Sequence, residues 1–85
     1  MKGQKKAAAL KYDTNYEAPM VTAAGAGYIA EKILEKAEEE RVPIIENKEL
    51  ADLLSKVEVG DNIPYELYDA VARVLAYVME IDNLI

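Results

Sequence analysis

The chain has 85 residues, 52% of them hydrophobic, which suffices for one small domain and falls short of two. It contains neither Cys nor His, so disulfides, thiolate or imidazole metal sites, and nucleophilic sites built on Cys–His or Ser–His pairs are all excluded. Ten Lys and Arg against sixteen Asp and Glu give a formal charge of −6, which repels a nucleic-acid backbone unless the basic residues are strongly segregated.

Lys2, Lys5, Lys6 and Lys11 do gather at the start. Four charges on a chain terminus read as a solvated, flexible basic arm over 1–6, ahead of a single domain over 7–82. No apolar run approaches the ~20 residues of a membrane span, and no signal-peptide core follows the lysines, so a cytoplasmic location is expected.

Residues 7–12 suit a helix on alanine propensity and a strand on alternation, with Ala8, Leu10 and Tyr12 set against Ala7, Ala9 and Lys11. Residues 13–18 are rich in turn formers, and Pro19 biases Ala18 toward extended geometry. A second strand is expected at Met20-Val21-Thr22-Ala23, ending at Gly25.

From Ala26 to about Arg41 the apolar positions Ile29, Ala30, Ile33, Leu34 and Ala37 repeat with helical spacing, opposite Glu31, Lys32, Glu35 and Lys36. Pro43 disfavours helix at Val42, so Val42-Pro43-Ile44-Ile45 is expected as a third strand, buried on both faces. Asn47 caps a short helix reaching about Ser55 that buries Leu50, Leu53 and Leu54. After a connector over 57–63, Pro64 suits the first turn of a last helix, with Leu67, Val71, Val74, Leu75 and Val78 as its buried stripe. The elements therefore read β-β-α-β-α-α. This is a small α/β sandwich with a mixed sheet of about three strands, in which strand two, helix one and strand three form a right-handed parallel crossover.

Candidate chemistry is sparse. Gly25-Ala26-Gly27 stands between a strand and a helix start, where backbone amides can hold a phosphate. The fuller dinucleotide signature is missing, and two glycines there serve equally to turn a strand tightly into a helix. Glu38, Glu39 and Glu40 are adjacent in a helix and point about 100° apart, so they form a solvated face and hold no metal. Six tyrosines carry all the aromatic surface, and such side chains can anchor partners as well as line a core edge; Tyr28 and Tyr77 are read as core edge. Ala18-Pro19 interrupts a polar loop with small, rigid apolar surface suited to docking a peptide. No cofactor and no metal are expected.

Read in order, "ALKYD", "AP-V-A-GAG-IA-KI", "VPI-EN--LA--L" and "VGD-IP-ELY-AVA-VLAYV" resemble the cytoplasmic C-terminal domain of the FlhB/YscU family of type III export proteins, over residues 9–79. In that family an Asn-Pro-Thr-His loop precedes the strand ending in "ALKYD" and cleaves itself through its Asn. The aligned residues here are Lys2-Gly3-Gln4-Lys5, so the resemblance implies a non-enzymatic domain without self-cleavage. It further implies a stand-alone copy of the cleaved C-terminal fragment, lacking the membrane part and the upstream strand that shares the family's sheet. One sheet position is accordingly expected to be vacant.

The resemblance also implies a role in docking export substrates and switching their specificity. The family's hydrophobic patch for early substrates maps onto Ala18, Pro19, Ala72 and Leu75. The implied partners are an FlhB-like membrane part, an FlhA-like gate and rod- or hook-type export substrates, with no nucleic acid, no membrane insertion and a peripheral place at the export gate. Two alternatives stand beside this reading. One is a structural subunit that completes a truncated FlhB-like membrane protein without touching substrate, and the other is a small phosphate- or nucleotide-binding protein.

Overall fold

The computed structural model describes residues 5–13, 15 and 17–83. Of the basic arm expected over 1–6, residues 1–4 lie outside that description, together with most of the segment aligned to the cleavage loop, while Lys6 is the first residue of a strand. The order is β1 (Lys6–Lys11), β2 (Met20–Ala26), α1 (Tyr28–Glu39), α2 (Lys48–Leu54), a 3-10 turn (Tyr65–Leu67) and α3 (Tyr68–Asn83).

Tertiary pairing decides the ambiguous first segment: β1 lies antiparallel to β2, with Ala7 opposite Gly25 and Ala9 opposite Ala23. The register shifts between Ala9 and Leu10, which leaves Thr22 as the extra residue, and its hydroxyl donates to the Ala9 carbonyl at 3.3 Å. Small side chains on this hairpin let α1 approach both strands and α2 approach β1. At Gly25 the approach is closest, since a Cβ there would lie 2.8 Å from Ile29 Cβ and closer still to its Cγ2.

The core gathers Val21 of β2, Leu50 and Leu54 of α2, Ile63, Leu67 and Val71 around Ala18. Val21 and Val71 are wholly buried, and the expected α3 stripe is in place, with Val74 and Leu75 half-buried against this cluster. Asn47 caps α2 as expected, its Oδ1 accepting from the Leu50 N–H at 3.0 Å. Pro64 sits one position earlier than expected, at the cap of the 3-10 turn that leads into α3.

The expected third strand at 42–45 is not formed; among the described residues the sheet has two strands, and the parallel crossover falls with it. The end of α1 explains why. Arg41 takes a left-handed φ of 58°, its N–H donates to the Glu38 carbonyl at 3.2 Å, and the Val42 N–H donates to Ala37 at 2.8 Å. That pattern is a Schellman cap, here with Arg where glycine is usual. It consumes the Val42 donor, and Pro43 has none, so half of the expected strand cannot enter a ladder. Val42 and Ile44 are 52% and 47% exposed, against the expectation of burial on both faces.

Four further residues depart from the reading of the sequence. Ile29 and Leu53 are largely exposed, and Tyr28 and Tyr77 stand out from the core edge at 69% and 53% exposure, Tyr28 beneath the Lys32 ammonium.

Candidate functional site

The two edges of the hairpin are treated differently. Along β2, the connector after α2 folds back: Gly60 N–H donates to the Val21 carbonyl at 2.7 Å, Val21 N–H to Asp61 at 3.0 Å, and Ile63 N–H to Pro19 at 2.9 Å. These bonds pin Ala18 and Pro19 beside Ile63, with a φ of 97° at Gly60 turning the chain. Along the outer edge of β1, among the described residues, no backbone partner is present. Lys6 reaches the Asp52 carboxylate of α2 instead, and Lys56 lies 3.9 Å from the same group. The Lys6 hydrogen bond and charge hold the Asp52 carboxyl below its ordinary range, helped by Lys56 and opposed by slight desolvation.

Pinning the Ala18-Pro19 loop against α3 creates a groove of about 350 Å3. Its helical wall is one stripe, Tyr68, Ala72, Leu75, Ala76 and Met79, whose spacing places them on a single face. Its floor is Ala18, 2% exposed, and Ile63, 3% exposed; Tyr12 and Pro19 close the opposite side. Among the described residues, Glu17 is the one charged side chain lining it. A concave, apolar surface with exposed Tyr and Met at its rim has the shape and polarity to hold an apolar side chain, and among the described residues lining it there is no nucleophile–base pair.

All four residues singled out in the sequence line this groove, although more than fifty positions separate Pro19 from Ala72. Their roles differ. Ala18 is floor and belongs to the core, Leu75 is shared between groove and core, and Ala72 is exposed on the wall. Tyr12, Ile63, Tyr68 and Met79 were not singled out. The signal for Tyr68 and Met79 was a second apolar stripe on α3, offset by one position from the Leu67–Val71–Val74 stripe.

At the other candidate place, the Gly25–Gly27 turn, the notch left by Gly25 is filled by Ile29, and the Gly27 N–H already donates to the Lys5 carbonyl at 2.7 Å. The Gly27 amide is thus already engaged, and the turn serves to bring α1 close onto β2. Among the described residues no group of three carboxylates converges on a metal position, and no helix is long and apolar enough to cross a membrane.

Fold and groove thus define a small α/β domain with a two-stranded sheet, one covered edge and an apolar cleft along its last helix. The family model for the FlhB, HrpN, YscU and SpaS proteins matches residues 4–78. FlhB of Salmonella typhimurium is 49% identical over 75 residues, covering 86% of this chain and 20% of that protein. Protein YlqH of Bacillus subtilis is 38% identical over 80 residues, covering 93% of this chain and 86% of that one. Among solved structures, the cytoplasmic domain of FlhB from Shewanella putrefaciens superposes with a TM-score of 0.87 at 35% identity, over 93% of this chain and 66% of that one. The chain belongs to the FlhB/YscU family of type III export proteins, and spans about a fifth of the length of the FlhB relatives it matches.

Proposed function

We propose that this chain is a non-enzymatic docking module of the flagellar or a related type III export apparatus, whose groove receives an apolar segment of an export substrate and thereby takes part in selecting substrates. The observation that carries this reading is the convergence of Ala18, Pro19, Ala72 and Leu75 on one apolar groove. Rod- or hook-type substrates and an FlhA-like gate component are its partners, at the cytoplasmic face of the export gate.

The test needs a residue that faces the groove without supporting the core. Ala18 is unsuitable, because a charge there would be buried without a partner. Ala72, exposed on the wall, is the better choice. Ala72→Glu should leave the amide spectrum folded and abolish the chemical-shift changes that a rod- or hook-type export-signal peptide induces along the groove; an unchanged titration would refute the reading.

A second reading draws on the outer edge of β1, which has no backbone partner among the described residues. In it the edge accepts a strand from a separate FlhB-like membrane protein, main-chain bonds supplying affinity and alternate side-chain pockets specificity. A synthetic peptide of that protein's segment just upstream of its cleavage loop should shift the amides of 6–11, and silence at those residues counts against it.

A further inference from the structure

Next to the groove, with Tyr68 lining both, lies a second cleft of about 250 Å3 lined by Tyr65, Glu66, Tyr68 and Asp69. The two rings stand 5.3 Å apart at 48°, and Tyr65 is 81% exposed, the largest exposure of any large apolar or aromatic residue among those described. Neither Glu66 nor Asp69 has an ion-pair partner among the described residues, and Arg73, one turn along α3, does not reach Asp69. Carboxylates in a first helical turn are ordinary, since they answer the partial positive charge of the helix end. That role does not account for two tyrosine rings lining the same cleft. Two full negative charges also outweigh the roughly half charge of a helix terminus. Aromatic faces beside carboxylates, on a chain of net charge −6, match one ligand chemistry: an ammonium or guanidinium group.

We infer that the docking surface has two compartments, an apolar one for a large aliphatic or aromatic side chain and an acidic, aromatic one for a Lys or Arg of the same polypeptide. The inference rests on the docking reading above and names the chemistry of its ligand. Because Tyr68 lines both compartments, one short segment can reach both, as can residues two apart on one face of an extended strand, which stand about 7 Å from each other. The preferred segment is therefore a large apolar residue with a basic residue two positions away.

The probes are short acetylated peptides carrying Leu-Ser-Lys or Lys-Ser-Leu, each with a twin in which Gln replaces Lys, titrated into the full chain and followed by amide shifts. In at least one order the Lys form should bind about three- to tenfold more tightly than its Gln twin, a preference that high salt diminishes. The Glu66→Gln/Asp69→Asn double variant should lose the preference while still binding both twins. A Glu38→Gln/Glu39→Gln variant, with the same change in net charge on the far helix α1, should keep it. Equal binding of the twins to the wild-type chain, or a preference lost equally in both double variants, overturns the second compartment and leaves the apolar groove standing. Binding of no peptide in either order overturns both the groove and this inference.

Discussion

The two outer edges of the hairpin are built from similar small residues and end up in opposite states. The edge of β2 is closed by the chain's own connector, through hydrogen bonds at Pro19 and Val21, and Val21 is wholly buried beneath it. The edge of β1 has no backbone partner among the described residues and is guarded by lysines at its two ends, Lys6 and Lys11. Short length and terminal Lys are the usual protection of an edge that stays open. The difference shows that one edge serves both stability and the candidate site: the closed edge holds the core and shapes the groove, while the outer edge of β1 does neither among the described residues.

The largest expected effect falls on the closed edge. Ile63 is 3% exposed and anchors the connector over β2, so Ile63→Ala should cost about 2–4 kcal/mol in urea unfolding and speed exchange of the Val21 amide. If the loss were below the scatter of surface substitutions, the connector would not be what closes that edge. Gly25→Ala comes next, because the added methyl meets Ile29 where α1 lies on β2; a loss of about 1–3 kcal/mol is expected in the same assay.

Smaller effects attend the two helices that pack on β1. Asn47→Ala removes the α2 cap and should cost about 1 kcal/mol. Arg41→Gly should do the reverse, raising stability by about 0.5–1 kcal/mol and the melting temperature with it, since glycine relieves the left-handed strain of the α1 cap at some cost in chain entropy. A destabilised Arg41→Gly variant would mean that the arginine side chain contributes more than its backbone strain removes.

The smallest effect is the Lys6–Asp52 contact beside the open edge. Its partner charges depress the Asp52 carboxyl, so the contribution is present above the ordinary carboxylate range and disappears as pH falls through the depressed value. The stability difference between wild type and Asp52→Asn should thus be constant from neutrality to about pH 4 and close below it. A difference that persisted in acid would show that packing, and not charge, ties α2 to β1.

Much of this was legible in local chemistry. The α1 and α3 stripes follow from apolar spacing, the Asn47 cap from residue type and position, and the break near Pro43 from the steric demand of a proline on its predecessor. The ordered motifs identified the family, which the comparisons bear out. The four groove residues could be singled out by the resemblance, but nothing local says that Ala18 would be floor and Ala72 wall, because depth depends on where the connector lands. The contact of Tyr65 with Tyr68 was hidden for a related reason: it spans the junction of the 3-10 turn with α3, and that turn is not read from the sequence.

What the amino-acid order determined alone is periodic and short in range: which segments are amphipathic, where helices begin and stop, and the absence of any Cys or His chemistry. Only the tertiary structure decided that the alanine-rich opening is a strand, because its helix propensity is worth tenths of a kcal/mol per residue and pairing with β2 outweighs it. The tertiary structure likewise decided that 42–45 is no strand. A strand is a relation between two segments, and Val42 had already given its N–H to the helix behind it.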